Sequence, residues 1–471
     1  MPTLHLITAE DPLTLQARAR EFIRMPQLTM PLLAALTPQH WTVSHTDEIT
    51  HSVDTDASHD VVGITAATPG APHAYDMAGR FRARGVVVAM GGPHASLLPH
   101  EVADHVDIVV VGEAETQWQR VLEHVEAERT FAMGHHTLDQ GTGATVEMCR
   151  NGARIYRCPT PASLVGLPHA RRDLIRHGGW NGWWATKGAM IATRGCPHVC
   201  SYCTIPKLYP QARRMRLRPV HEIAAEVAAI PDKGVVFWDD NIGANLTYAK
   251  ALFRELAPLN KWWTSQTTAV SVQDDEFLEL AAASGCKALF IGLESVNEPS
   301  LAEAGKKHNQ VAAYGDLLRR FHSHGIAVQS GIMFGFDEDT PDVFARTVDA
   351  MGDIGLDSAT VSLMVPFPGL PAYEKLARDG RIIDDDWRHY NGKTHVVHQP
   401  HNLTPDQLMS GYEWAKSQFY SPASITRRLA QSRTGLWWNI PRNLGYMRGI
   451  TGEIKARAAM HEQHQQGSTA A

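Results

Sequence analysis

The chain has 471 residues, 44% of them hydrophobic and 20% charged, which is enough apolar material for two or three domains with cores of their own. Its formal net charge of -6 leaves no sign of the basic face through which proteins read nucleic-acid phosphates, so no nucleic-acid partner is expected. No window reaches about 18 apolar residues, and the N-terminus MPTLHLITAEDPLTLQ lacks a basic segment followed by a long apolar run. Neither a transmembrane helix nor a signal peptide is therefore expected. Cys149, Cys158 and Cys286 are widely spaced, unlike a disulfide scaffold, and this favours a reduced cytoplasm.

In residues 1–135 the short apolar runs LHLITA, VVGIT, VVVAMGG and DIVVVGE alternate with amphipathic stretches such as AYDMAGRFRARG. This pattern predicts buried parallel strands with crossover helices, an open α/β sheet of Rossmann or flavodoxin type. Such sheets bind ligands beyond the carboxyl ends of their strands. Here those ends carry Thr65, the run Gly91, Gly92, Pro93 and His94, and the pair Gly112 and Glu113. Paired glycines after a buried strand let a large planar or phosphate-bearing ligand approach the backbone. A nucleotide is the simpler alternative, but no G-x-G-x-x-G stands at the first strand–helix turn.

Residues 136–187 read as a linker, with GTGATVEMCRNGARIYRCPTP as a small hairpin and LPHARRDLIRHGGWNGWW as an extended connector. A second β/α series fills 188–370, its strands AMIATRG, VVFWDD, WWTSQTT, ALFIGLES, AVQSGIMFGF and SATVSLMVP each separated by a helical stretch. Six such units predict an open (β/α)6 barrel with its chemistry at the carboxyl ends of the strands. Residues 371–471 read as mainly helical, with a helix opening on an Asn402 or Thr404 cap and Pro405 in its first turn, and with a polar, disordered tail HEQHQQGSTAA.

The loop after the first barrel strand, TRGCPHVCSYCTIP, holds Cys196, Cys200 and Cys203. Three thiolates fall short of the four ligands of structural zinc, but they form a partial set for a [4Fe–4S] cluster with one iron open to a non-protein ligand. A zinc site completed by His198 would have to close inside the tight Cys196–Cys200 loop. A redox pairing of Cys200 with Cys203 leaves Cys196 unexplained.

RGCPHVCSYC resembles the signature of the radical S-adenosylmethionine superfamily, C-x3-C-x-aromatic-C. The resemblance implies that the three cysteines hold the cluster, that S-adenosylmethionine chelates the open iron, and that Tyr202 packs near its adenine. It also implies contacts to that cofactor from Asp239 and Asp240 after the second strand, Glu294 of GLES after the fourth, and Gly331, Ile332 and Gly335 of QSGIMFGF in the fifth, with Gln266 and Thr268 as further suggestions. The stretch MGGPHASLLPHEVADHVDIVVVGEAE is similar to the N-terminal domain of cobalamin-dependent members, which read GG-x-H and then D-x-V-x-x-GE. Asp107 falls at the motif's aspartate, and the similarity implies a cobalamin site at Gly91, Gly92, His94, Gly112 and Glu113, with Thr65 beside them. The D-x-H-x-x-G motif that supplies a lower cobalt ligand elsewhere is absent. His94 is therefore expected to bond the corrin periphery or to serve the structure. VPFPGLPAYEKL and the YSP at Tyr420–Pro422 look like the C-terminal part of hopanoid-methylase-like members.

The implied function is a C-methyltransferase that acts on an unactivated carbon of a small molecule, a lipid or specialised metabolite, through a 5′-deoxyadenosyl radical and methylcobalamin. An electron donor such as flavodoxin or ferredoxin would reduce the cluster. The alternatives are a rearrangement, cyclisation or oxidation with the same cofactors, and a non-catalytic corrinoid or metal-cluster carrier. A methylthiotransferase for transfer RNA would need a second three-cysteine set, which the front domain lacks. Trp180, Trp183, Trp184, Trp262 and Trp263 are core or cavity aromatics, and Val365, Phe367 and Pro368 follow the sixth strand at the substrate-facing end.

Overall fold

The computed structural model describes residues 1–12, 15, 26–128, 131–176, 187–209 and 211–450. Trp180, Trp183, Trp184 and the C-terminal tail lie outside them. The first sheet comprises β1 (Thr3–Thr8), β2 (Thr42–Asp47), β3 (Val61–Thr65), β4 (Val87–Gly91), β5 (Ile108–Val111), β6 (Gly134–Asp139), β7 (Ala144–Met148) and β8 (Arg154–Arg157). They lie in the order β2-β1-β3-β4-β5-β8-β7-β6, parallel as far as β8 and antiparallel beyond it. Because side chains alternate along a strand, neighbouring residues feed two different cores. Ile7, Val62, Met90 and Val109 pack on one face and Leu6, Val61, Ala89 and Ile108 on the other. A sheet covered on both faces accounts for the continuous apolar runs.

The order 2-1-3-4-5 is the flavodoxin-like arrangement, which opens a crevice between β1 and β3 at their carboxyl ends. One expectation needs correcting here. The stretch assigned to a linker contributes β6, β7 and β8, and β8 pairs with β5 through Ile108↔Arg154 to Val111↔Arg157. The hairpin is real but it extends the first sheet. Its short, polar, alternating strands lack the apolar run that marks a central strand.

The second unit contains β9 (Ala189–Met190), a short pair β10 (Thr193–Arg194) and β11 (Arg216–Leu217), then β12 (Gly234–Phe237), β13 (Trp262–Thr267), β14 (Cys286–Glu294), β15 (Ala327–Phe334) and β16 (Ser358–Leu363). Six of these form one parallel sheet in chain order, β16-β15-β14-β13-β12-β9, whose two end strands are not paired with each other. That is the open barrel expected from the periodicity. Its outward residues, such as Leu289, Ile291, Val328, Ile332 and Phe334, share one core with the surrounding helices and with Leu408, Tyr412, Phe419 and Leu429 of the C-terminal helices.

The helix Pro405–Phe419 starts where the sequence suggested. Thr404 caps it with a reciprocal Thr404–Gln407 capping box, and Pro405 lies in the first turn. Asn402 instead donates to the Asp337 carbonyl. The helices are further tied to β16 by Arg428, fully buried over the Phe419 ring and donating to the carbonyls of Leu356, Asp357 and Phe419. Among the described residues, no helix is long and apolar enough to cross a membrane.

Candidate cofactor cleft

The cysteine loop is held from three sides. Gly195, just before Cys196, has φ +103°, and a Cβ there would lie 2.5 Å from the Ala212 carbonyl oxygen, so only glycine makes this turn. Its N–H donates to Asp240 at 2.8 Å, and the Cys196 N–H donates to Ala212. Further along, the Ser201 N–H donates to the Ala304 carbonyl and the Ser201 carbonyl accepts from Ala372, anchoring the loop to the helices Glu298–Glu303 and Pro371–Arg378.

All three thiols are free, together with the other cysteines. Burial pushes each of them up, Cys203 to about 12, and the neighbouring thiols add to the rise at Cys203. Three reduced thiols that burial keeps protonated are a donor set that a cationic metal cluster would convert to thiolates. Asn241, buried after β12, turns its amide toward Cys196 Sγ at 4.0 Å and Thr268 Oγ1 at 3.5 Å.

Next to the cysteines lies a charged cluster that only partly coincides with the sequence reading. Glu294 closes β14 at φ +67°, an uncommon conformation for a residue with a side chain, where the β14–β15 register slips between Gly292 and Glu294. Its carboxylate pairs with Lys306 at 2.8 Å and bonds the Tyr202 hydroxyl. Burial, then the Glu294 charge, pushes the Tyr202 phenol well above its ordinary range. The Tyr202 ring is 6.3 Å from that of Phe336, and Gly331 opens space beside Glu294 and Phe290.

Lys306 and Asn309 were not identified from the sequence. Lys306 also donates to the Gly292 carbonyl, and the Asn309 amide donates to Gly292 and Leu293, so both hold the bulge that presents Glu294. They sit on an irregular loop, where periodicity carries no signal.

Other expected cofactor contacts are placed differently. Asp239 is fully buried and accepts from the backbone N–H groups of Ala192 and Thr193, bracing β12 against the segment that leads into β10. Burial raises its carboxyl to about 7, against the pull of those two donors. Ile332 points outward into the core. Gly335 has φ +109°, donates to Asp339 and accepts from His398, so it makes a structural turn. Gln266 is partly exposed at the register position of Phe290.

On the front domain, Thr65 and Gly91–Gly92 stand at the carboxyl edge of β3 and β4. Gly92 has φ +90°, and a Cβ there would lie 2.2 Å from Thr65 Oγ1. His94 is fully buried, with Nε2 2.8 Å from the Tyr75 hydroxyl and Nδ1 3.3 Å from Thr68 Oγ1. Asp107 likewise bonds the Val88 N–H and Arg82.

Glu113 is no free ligand either. It is buried, accepts from Arg194 at 2.5 Å and Arg216 at 2.8 Å, and receives the Ala162 N–H. Arg194 also reaches Glu115, and Tyr209 lies under both guanidiniums. Gly112 packs against the Leu208 carbonyl. The carboxyl edge of the first sheet is thus bolted to the segment that carries the cysteines, leaving Thr65 and Gly91–Gly92 on the same side of the front domain as that segment. A flat cofactor on this edge fits the sheet topology.

Residues 190–351 match the Radical SAM superfamily and residues 34–122 the B12 binding domain. The chain is 29% identical over 415 residues to a bacteriochlorophyllide d C-12(1)-methyltransferase of Chlorobaculum tepidum, covering 86% of this chain and 85% of that one. It is 25% identical over 418 residues to a hopanoid C-2 methylase of Rhodopseudomonas palustris, covering 86% and 73% respectively. Its fold is similar to that of the radical S-adenosylmethionine methyltransferase TsrM from Kitasatospora setae, solved with cobalamin and a [4Fe–4S] cluster bound, at TM-score 0.64 and 16% identity over 97% of this chain and 100% of that one.

Proposed function

For a chain that joins a B12-binding domain to a radical SAM domain, we propose a cobalamin-dependent radical S-adenosylmethionine C-methyltransferase acting on an unactivated carbon of a small molecule, a lipid or specialised metabolite. The observation that carries this reading is the Arg194–Glu113 contact, which sets the cysteine loop against the carboxyl edge of the first sheet. A carrier with a purely structural cluster would need no such apposition. The relatives named above for methylating a bacteriochlorophyllide and a hopanoid support carbon methylation.

When bound, the cluster with S-adenosylmethionine supplies a 5′-deoxyadenosyl radical and cobalamin supplies the methyl group. The chain's own part is placement. Cys196, Cys200 and Cys203 would hold the cluster, and Asp240 fixes their loop through the Gly195 N–H. Glu294, held by Lys306, would accept hydrogen bonds from the amino or ribose groups of S-adenosylmethionine, with Tyr202 alongside and Gly331 giving room. Thr65 and the Gly91–Gly92 backbone would border the corrin. A flavodoxin or ferredoxin would deliver the electron, and the reduced cysteines suit a cytoplasmic setting.

The test is anaerobic purification with cobalamin supplied, analysis for iron and cobalt, and incubation with a reductant, methyl-labelled S-adenosylmethionine and a small-molecule extract. Label appearing in an extracted compound together with 5′-deoxyadenosine supports the reading. Formation of 5′-deoxyadenosine without label transfer points to rearrangement, cyclisation or oxidation. Failure to cleave S-adenosylmethionine points to the carrier.

A further inference from the structure

Away from the cleft, at the far end of the first sheet, His100, Glu147 and Cys149 converge, with His135 next to Glu147. Glu147 of β7 turns its Oε1 toward His100 Nδ1 of the helix Pro99–Ala103 at 3.7 Å and toward His135 Nε2 of β6 at 3.9 Å. His135 is the direct cross-strand partner of Glu147. Cys149, one residue past β7, brings its thiol into the same space: the ligand atoms of His100, Glu147 and Cys149 all lie within 4.8 Å of one another. The cysteine is reduced and partly buried.

We propose that His100, Glu147 and Cys149 form a zinc site, its fourth position open to solvent, that staples the helix Pro99–Ala103 to the β6–β7 hairpin.

The spacing is the first argument. The 3.7 Å between His100 Nδ1 and Glu147 Oε1 is too long for a hydrogen bond. It is close to the edge of a zinc tetrahedron, about 3.3–3.8 Å for bonds of about 2.0–2.3 Å. The groups surround a gap without bonding across it.

The donor set is the second argument. Imidazole, carboxylate and thiolate together suit zinc, whereas calcium and magnesium take oxygen ligands. Glu147 is oriented for the role, because Arg157 holds its other oxygen, Oε2, at 3.2 Å and leaves Oε1 to the gap. Outer contacts of this kind fix ligating carboxylates.

The backbone around the site is also prepared. The Cys149 N–H donates to Ala153, and the Asn151 amide in the same turn donates to the Ala103 carbonyl at the end of the helix. On binding, the Cys149 thiol gives its proton to solvent and a zinc–sulfur bond forms. Both histidines are largely exposed, which leaves an entry path. The neighbouring Glu101 accepts from the Trp387 indole at 2.9 Å, so a stapled helix would also stiffen this bridge to the C-terminal region.

The test uses the full-length protein loaded with its cluster, exposed to zinc chloride, desalted, and analysed for zinc and iron. About one zinc per chain is expected to remain, and the zinc K-edge should show a single sulfur neighbour. Cys149→Ser and His100→Ala should each lose that zinc at unchanged iron content, and the zinc-dependent rise in melting temperature should vanish with it. A wild type that retains no zinc overturns the proposal. So does zinc that persists in the Cys149→Ser, His100→Ala double variant, or a shell of three sulfurs, which would place the metal on the cluster cysteines.

Discussion

Arg194 stands two residues before Cys196 and donates to Glu113, which follows β5 in the other domain, at 2.5 Å; Arg216 reaches the same carboxylate from β11. The sequence separation is 81 residues, yet one buried ion pair fixes the distance between the two candidate cofactor sites. Removing one partner of a buried pair strands the other charge, at a cost of about 3–5 kcal/mol. Glu113→Gln is expected towards the lower end of that range, because Arg194 keeps Glu115 at 2.7 Å.

The functional consequence separates two kinds of turnover. Glu113→Gln should keep its iron and still cleave S-adenosylmethionine, since every contact to the cysteine loop from Asp240, Ala212 and Ala304 remains. Methyl transfer should fall at least tenfold, because the front domain is no longer pinned in register. Parallel assays of 5′-deoxyadenosine and methylated product on the same preparation check this. Equal losses in both would show that the ion pair supports the cluster loop itself.

Gly195→Ala tests the loop directly. The left-handed φ and the 2.5 Å approach to the Ala212 carbonyl mean that a methyl group must displace backbone, not a flexible side-chain tip. The variant should fold, because the cores lie elsewhere, but reconstitute with less than half the iron of wild type. Circular dichroism and iron analysis on the same sample are sufficient. Normal iron loading would mean that the loop relaxes freely around the cluster.

The contrast between these residues shows what the sequence made legible. Strands were readable because parallel strands covered on both faces must be continuously apolar, as VVGIT and IVVV are. The cysteine loop was readable because its ligands are local. Glu113 also pairs with residues 81 and 103 positions away, which the sequence does not reveal, because a strand-end acid looks the same whether it meets a cofactor or a distant arginine. Asp239's partners are backbone N–H groups, which leave no trace in side-chain identity. Ile332 was carried along by its motif although strand alternation from Gly331 turns it to the opposite face.

Lys306 links the charge of Glu294 to the cysteines. It is buried, and although burial alone would lower its ammonium, the Glu294 carboxylate and then the Cys200 thiol raise it, so it stays charged. Lys306→Met leaves Glu294 buried without its cation, a loss of about 3–5 kcal/mol by the same reasoning, and frees Glu294 from its fixed position. Binding of S-adenosylmethionine should weaken at least tenfold. The paired variant Lys306→Met with Glu294→Gln should recover much of the stability but none of the binding. Calorimetric titration with S-adenosylmethionine, set beside thermal melts of all three variants, reads both effects. Full stability in Lys306→Met alone would show that Glu294 does not depend on it.

On the acid side, buried neutral histidines should make stability fall with pH, opposed by the raised carboxyl of Asp239. His398 is buried behind Gly335, with Nε2 2.8 Å from the Gly335 carbonyl oxygen. Burial lowers it from 6.5 to about 4, outweighing the small opposing effect of that carbonyl. His5 in β1, His45 in β2, and His308 next to the cysteine loop are lowered to about 4 for the same chief reason. Between these values the unfolded chain binds protons that the folded chain does not. The stability these histidines contribute is therefore complete above pH 6.5 and lost as pH falls toward 4, while Asp239, raised to about 7, works the other way and loses its contribution as pH rises through 7. A single histidine shifted this far contributes a loss on the order of 2 kcal/mol between pH 7.5 and pH 5. His398→Gln, which can still donate to the Gly335 carbonyl but cannot titrate, should flatten the fall by about that amount. Anaerobic urea melts of the holoprotein and the variant at the two pH values measure the difference. An unchanged pH slope in His398→Gln would mean that His398 is protonated in the folded chain, with its charge held by groups other than the Gly335 carbonyl.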